Sequence, residues 1–415
     1  MTHRSSRRDF LKAGSACAVT ASLTATSYAK VLGANERISI GVIGCGRRGL
    51  HAHMKTVKRY LKQENVEITA VCDPWRQRRE TASQQVKQWT GKPAREFISY
   101  RDVVVLDDID AVMIASCDHQ HTTHMEAAAN NKKHIYCEKP LAMDLDKLNS
   151  ACDAVRDAGI CFQAGTQVRS YPTSRGCRKL FQSGALGKIS RVEQVRNSTR
   201  PYWYSRLAKV NAKDVDWKEF LGDRPMRPFN AEQFTGWYGY RDFSDGPIPG
   251  LATHYIDLIN FITGTKFPIS SVAQGGVLAC KDEFNFTCPD QCQATWEYPE
   301  GFLVSYSSNL ANSGGNRILM QGDYGTLSLT PWSKPTISDE GARKKGTLGK
   351  SVPIDPVEGP EHILDWLQCM RSGNTPNASI DAGYQQTVPV IMAMKAFDTG
   401  QKQVFVPEKR QIRSG

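Results

Sequence analysis

The stretch Ile38-Ser-Ile-Gly-Val-Ile-Gly-Cys-Gly-Arg-Arg-Gly49 decides the fold. A β-rich apolar run, Ile38–Ile43, leads directly into Gly44, Gly46 and Gly49, and a helix is expected to open there. In such a turn Gly44 permits the tight bend, Gly46 lets the backbone approach a diphosphate, and Gly49 allows close helix packing. The helix N-terminus then offers N–H donors to the anion. Arg47 and Arg48 lie inside this turn and are expected beside the bound nucleotide. Asp73 ends the next β-rich run, Val66–Cys72, where a carboxylate can accept both hydroxyls of a ribose. The same carboxylate repels a 2′-phosphate, and Pro74 follows it in place of an arginine. NAD is therefore favoured over NADP, with Arg76 and Arg78 the nearby residues that argue the other way.

Outward from this turn, short apolar runs alternate with helical stretches as far as Gln167, the pattern of a parallel sheet with crossover helices. The expected strands are Ile38–Ile43, Val66–Cys72, one near Glu96–Tyr100, Ala111–Ser116, His134–Cys137 and Ile160–Ala164. Gln77–Trp89, His124–Asn130 and Leu145–Asp157 read as helices. After Gln167 the texture changes. A helix, Ser174–Gln182, and a strand, Ile189–Asn197, precede an aromatic-rich stretch without periodicity, Thr199–Phe243. An apolar helix, Leu251–Ile262, then leads into alternating strands that include Gln293–Tyr298, Phe302–Ser307 and Arg317–Gln321. Helices His362–Met370 and Asp381–Thr399 come before a last strand, Gln403–Val406. The expected class is α/β: a Rossmann, doubly wound parallel sheet over residues 36–167, then an α+β domain over 168–406 with a predominantly antiparallel sheet. Residues 407–415 read as a basic tail.

The chain of 415 residues is long enough for two domains. Its N-terminus carries Ser6-Arg7-Arg8-Asp9-Phe10-Leu11-Lys12, then a weakly apolar run, Ala13–Ala25, and a small-x-small site at Ser27-Tyr28-Ala29. This order predicts a twin-arginine export signal over residues 1–29 and a periplasmic or exported product. The apolar run falls short of the ~20 residues a spanning helix needs, so no stable membrane insertion is expected. The formal charge is +11. Four basic residues and one acidic residue lie within 1–29, which leaves about +8 on the remainder. Those charges are scattered rather than interleaved with aromatics, so nucleic acid is not an expected partner. There are twelve cysteines. Cys45, Cys72, Cys117, Cys137 and Cys161 sit in apolar runs and read as packed thiols. Cys288 and Cys292 lack a companion pair at zinc spacing.

At Tyr136-Cys137-Glu138-Lys139-Pro140 the chain resembles the glucose–fructose oxidoreductase/inositol dehydrogenase (Gfo/Idh/MocA) family, in its exported branch. Cys117-Asp-His-Gln-His121, Gly165-Thr-Gln-Val-Arg169, Asp216-Trp-Lys-Glu-Phe-Leu-Gly222 and His254-Tyr-Ile-Asp257 extend the resemblance over essentially the whole chain. It implies a Lys139 ammonium beside the nicotinamide and the reacting carbinol, where it can stabilise developing alkoxide charge. Glu138 holds that lysine or the ribose, and His121 packs near the nicotinamide. His254 is implied as acid/base or substrate ligand, since imidazole suits proton transfer near neutral pH. Members usually carry an Asp four residues before this histidine. Here Gly250 stands there, and Asp257 is the candidate to compensate. Arg169, Tyr171 and Tyr238 are candidates for the substrate wall. His119, His121 and His124 fall close together, but no further ligand is tied to them by spacing, so no metal is expected. The family's open sheet commonly forms dimers or tetramers, so a homo-oligomer is expected.

Together these features point to a carbohydrate oxidoreductase that works by hydride transfer on a sugar hydroxyl. Export adds a demand, because the periplasm offers no obvious nicotinamide pool. The cofactor must then be held tightly and restored within the reaction. A redox-assisted glycosidase or lyase would also meet that demand, and a non-catalytic sugar or nucleotide sensor is the alternative outside enzymology.

Overall fold

The computed structural model describes residues 36–343 and 349–415. The expected signal segment, 1–29, lies outside the described residues. The first six strands are β1 (Ile38–Ile43), β2 (Val66–Cys72), β3 (Arg95–Phe97), β4 (Ala111–Ile114), β5 (His134–Glu138) and β6 (Phe162–Gly165). They form one all-parallel sheet in the order β3-β2-β1-β4-β5-β6. Ile40, Val42, Ala111, Val112 and Met113 are fully buried, as strands covered by helices on both faces must be. Between β1 and β4 the order reverses, and this switch point opens a crevice at the carboxyl ends of the strands.

Local chemistry sets the element ends. Asp144 accepts the Lys147 N–H at 2.9 Å to start the helix Leu145–Ala158, and Gly159, at φ +63°, ends it. The third strand is shorter and earlier than expected. Ser99 caps a helical turn, Tyr100–Val104, whose Tyr100, Val103 and Val104 are buried in the core.

The remaining strands are β7 (Ile189–Val195), β8 (Ser270–Gly276), β9 (Gln291–Tyr298), β10 (Phe302–Asn309), β11 (Arg317–Gly322), β12 (Gly325–Ser328), β13 (Thr336–Ser338), β14 (Val352–Pro353), β15 (Gln403–Val406) and β16 (Gln411–Ser414). They build a second sheet in the order β14-β13-β12-β11-β7-β10-β9-β8-β15-β16. Every pairing in it is antiparallel except β7 with β10.

Two expectations about the C-terminal part need correction. Residues 407–415 are not a free tail, because Gln411–Ser414 pairs with β15 as an edge strand. The last stretch of 168–406 does not belong to the second domain alone. Trp366, on the helix His362–Ser372, is fully buried in the first domain's core, edge-on to Tyr136 with ring centroids 5.8 Å apart. On the helix Ile380–Thr399, Val388 and Met392 pack into the first core while Val390, Ala393 and Met394 pack into the second. A helix buried all round suits this position between two cores.

The aromatic stretch Thr199–Phe243 folds as short turns around a core of its own. Trp203, Trp217, Phe220, Phe234, Trp237 and Phe243 pack there, with Trp217 stacked on Phe220 at 5.1 Å. Asp216 and Asn230 cap its two helical turns by accepting N–H bonds from Glu219 and Gln233.

Candidate active site

A cleft of about 730 Å³ runs from the glycine turn after β1, along the carboxyl edge of the first sheet, to the helix Thr253–Thr263 of the second domain. Its nucleotide end follows directly from the opening sequence. Gly44 has φ +93°, and a Cβ there would stand 2.5 Å from the Ala115 carbonyl oxygen. A Cβ on Gly49 would stand 2.0 Å from the Gly44 oxygen. Gly46 faces open space apart from the Arg78 guanidinium, 3.5 Å from where its Cβ would be. Its bare backbone can therefore meet a diphosphate.

Asp73 is buried and accepts N–H bonds from Cys45 and Trp75, both at 2.9 Å. Burial pushes its pKa up, opposed by Arg78 and by those two N–H groups. Each oxygen keeps lone pairs for a ribose. Arg76 pairs with Asp214 at 2.5 Å, and Arg78 lies over the Trp75 ring at 4.9 Å. The cradle, the carboxylate and the free glycine backbone fit a dinucleotide without a 2′-phosphate.

Beyond the turn, Glu138 ends β5. Arg48 Nε and His53 Nε2 each lie 2.8 Å from its Oε1, and Gln167 donates to the same oxygen at 2.9 Å. Burial alone would raise the Glu138 pKa. Arg48 and His53 outweigh it and hold the carboxylate well below its usual range. Arg48 thus lines the cleft but is tied to Glu138 and Gln167.

Lys139, half-buried after a cis bond to Pro140, reaches across to the second domain, where its Nζ donates to the Gly250 carbonyl at 2.5 Å. Burial lowers its pKa, opposed by Glu138 and Asp118. His254 lines the cleft near that ammonium, and its Nδ1 is closed off from solvent without a partner. Burial first, and the Lys139 charge second, hold the imidazole neutral, far below its ordinary pKa. The ring is thus neutral, with one nitrogen buried and unpartnered. His121 also lines the cleft, with Nδ1 at 2.7 Å from the Pro140 oxygen and Nε2 at 3.2 Å from that of Ser116. It fastens the Cys117–His121 turn to the lysine segment.

Among the three clustered histidines, His119 Nε2 faces the Phe220 carbonyl and His124 Nδ1 the Ser116 hydroxyl. Each serves packing of the loop. Among the described residues no set of three His, Cys, Asp or Glu side chains is placed to hold a metal ion. All eleven cysteines among the described residues are free thiols.

Three expected site residues sit elsewhere. Asp257 accepts the Arg169 guanidinium at 2.9 Å in a pair sealed from solvent, with Arg169 also 5.0 Å over the Phe261 ring. One turn along the helix from His254, Asp257 meets the segment after β6 instead of the cleft. Neither it nor Arg169 lines the cleft, so their part is structural. Tyr171 is 42% exposed at the start of the helix Pro172–Gln182 and also lies off the cleft. Tyr238 does line it, stacked on Trp237 at 3.6 Å.

Sequence reasoning missed four residues. Asp118 lines the cleft, is buried, and accepts the Ser244 hydroxyl at 2.8 Å. Burial, opposed by Lys139, pushes its pKa up to about 7. It lay inside the Cys117–His121 motif, whose histidines drew the attention. Tyr202 puts its hydroxyl 2.7 Å from where a Cβ on Gly250 would stand. It fills the space a carboxylate at 250 would need, and its oxygen is buried without a partner. Arg206 and Trp332 also line the cleft, from segments with no periodicity to mark them.

Two family models match this architecture. Residues 38–166 match the NAD-binding Rossmann fold of the Gfo/Idh/MocA oxidoreductase family, and residues 178–406 match its C-terminal alpha/beta domain. The chain belongs to this oxidoreductase family. Its first domain is an NAD-binding Rossmann domain. An uncharacterized oxidoreductase, YrbE, of Bacillus subtilis (strain 168) is 32% identical over 37% of this chain and 42% of its own length. A glycosyl hydrolase family 109 protein of Shewanella baltica (strain OS185) is 30% identical over 80% of this chain and 71% of its own. Among solved structures, a levoglucosan dehydrogenase in complex with NADH shares the fold. Its TM-score is 0.69, and 16% identity covers 88% of this chain and 98% of that one.

Proposed function

We propose that this family member is an exported carbohydrate oxidoreductase that holds its NAD tightly and acts on a CH–OH group of a sugar. The observation that carries this reading is that the Lys139 ammonium and the neutral His254, whose Nδ1 has no partner, line one cleft close enough for the charge to act on the ring. NAD, when bound, supplies the hydride acceptor. Gly44, Gly46, Gly49 and Asp73 would hold its diphosphate and ribose, and Glu138 keeps Arg48 and the lysine segment in register. Lys139 hydrogen-bonds the substrate oxygen and stabilises negative charge developing on it. His254 takes the hydroxyl proton, with Asp118 a second buried acid near neutral pH. Tyr238 and Trp237 offer ring faces to an apolar sugar face. Export and cofactor retention rest on the N-terminal signal and on the absence of a nicotinamide pool outside the cytoplasm.

A homo-oligomer is proposed as well. By register Val272, Leu303 and Glu297 share the outward face of the second sheet, where Val272 and Leu303 are about half exposed.

One observation favours a second reading. With Tyr202 seated at Gly250 in place of a carboxylate, the proton relay differs from that of an ordinary sugar dehydrogenase, and redox-assisted glycoside cleavage uses the same hydride step reversibly. The Shewanella baltica relative's name agrees with this reading. The test is to incubate the purified protein with NAD and a panel of free sugars and nitrophenyl glycosides. Reduction of the bound NAD by a free sugar, read in a single turnover, supports the oxidoreductase. Nitrophenol release without net NADH supports the cleavage cycle. Neither signal, despite bound NAD, rejects both.

A further inference from the structure

Three guanidinium groups from both domains gather at the glycine-turn end of the cleft. Arg47 belongs to the turn itself, and Arg78 lies over Gly46 from the helix Arg76–Thr90. Arg206 comes from the second domain, at the end of the short turn Tyr202–Arg206. All three line the cleft. Arg206 faces the charges of Arg47 and Arg78 and the hydroxyls of Tyr202 and Tyr238. Its Nε is closed off from solvent and has no hydrogen-bond partner. Among the described residues no carboxylate lies within ion-pair distance of any of the three. Arg241, by contrast, is matched to Asp245 and Asp398. Asp73 acts on Arg78 from a distance but pairs with none of the three, and guanidinium groups brought together without an ion pair repel one another, while a shielded donor without a partner is costly to keep. Such a cluster makes physical sense around an anion, and arginine forks suit phosphate oxygens.

We propose that Arg206 is a clamp on the dinucleotide's diphosphate, reaching over the glycine turn from the second domain. The first domain binds the nucleotide through Gly44–Gly49 and Asp73, and Arg206 closes the open side. The anchorage of Arg206 is stiff. The neighbouring Trp203 is 1% exposed and packs edge-on against Phe286, so the guanidinium is presented by a buried platform. Release of the nucleotide then requires the 202–206 turn to lift, which slows dissociation. This gives the cofactor retention of the proposed function a physical basis and rests on NAD binding there.

The test compares wild type with Arg206→Gln and Arg206→Lys by calorimetric titration and stopped-flow dissociation. The probes are NAD, ADP-ribose, which keeps the diphosphate but lacks nicotinamide, and adenosine, which has neither. Arg206→Gln is expected to weaken NAD and ADP-ribose by the same factor, 10- to 100-fold, mostly through faster release. Adenosine affinity stays the same. Arg206→Lys keeps the charge but not the fork and should fall between, and equal melting temperatures of the apo proteins show that the fold is intact. Should the glutamine variant fail to fold, the lysine variant alone decides by the same comparison. Unchanged ADP-ribose affinity in the folded variants overturns the clamp, and would assign Arg206 to an anionic substrate. Failure of wild type itself to bind ADP-ribose would instead overturn the cofactor reading.

Discussion

The two ends of the cleft are built by different means. The nucleotide end is made of consecutive residues: a strand, a glycine turn and an acid at the tip of the neighbouring strand. Its geometry is backbone geometry, with Cys45 and Trp75 N–H groups fixing Asp73 and the Gly44 and Gly49 contacts leaving no room for a side chain. The lysine end is assembled from distant segments. Lys139 meets the Gly250 carbonyl across 111 positions, and Tyr202 fills the space beside it. Beneath lies the sealed Arg169–Asp257 pair, which holds the His254 helix to the first domain's last strand segment. The first design tolerates almost no change of residue, whereas the second tolerates exchange of parts so long as the space is filled.

Substitutions can break or sharpen this contrast. The largest effect is expected from Arg169→Ala, which strands a buried carboxylate. Loss of ~3–5 kcal/mol in denaturant unfolding is expected, with NAD affinity of the folded protein nearly unchanged. A large drop in NAD affinity without loss of stability would show that the pair serves the cleft after all. Lys139→Met should lower turnover 10²- to 10³-fold with a responsive sugar from the panel, while NAD titrates as before. Normal turnover would remove the lysine from the reaction. Gly49→Ala should cost about 1–3 kcal/mol of stability and abolish detectable NAD binding, because its methyl group meets the Gly44 carbonyl. Wild-type affinity in that variant would show the turn to be more forgiving than its contacts allow.

The smallest effect concerns pH. Asp118 titrates near 7 in the folded chain, as does Asp245, whose buried carboxyl is also raised to about 7 by burial against the pull of Arg241. An unfolded Asp titrates near ~4. Between those values the folded chain binds more protons, so stability falls as pH rises from about 4 to 7 and then levels. Asp118→Asn should flatten the fall in melting temperature between pH 5 and 8. An unchanged slope would mean that Asp118 is already ionised.

Much of the fold was legible because its signals are local. Strand runs such as Val66–Cys72 and Gln403–Val406 fell where apolar β-rich residues recur, and the glycine turn carried its own conformational requirement. The roles of Lys139 and His254 were legible only through the family resemblance, whereas Asp257 was named from its spacing along the helix and Arg169 and Tyr171 from the chemistry of sugar recognition. The last three were misplaced because spacing along a helix says which residues share a side, not which neighbour claims that side. Asp257 went to Arg169, and Tyr171 went to the surface. The stretch Thr199–Phe243 gave no periodic signal, since its turns are held by ring packing and side-chain caps rather than by repeating hydrogen bonds.

By itself the sequence determined the parallel sheet, the glycine turn, the acid at the tip of the neighbouring strand, and the lysine at the sheet's edge. Each depends on residues near one another along the chain, where sterics and backbone hydrogen bonding act directly. Only the tertiary structure decided that Tyr202 occupies the place left by Gly250, that Arg206 faces the arginines of the glycine-turn end, and that Asp118 is a buried acid. Burial and the opposition of charges are set by whichever distant segments pack together, and no local pattern encodes them.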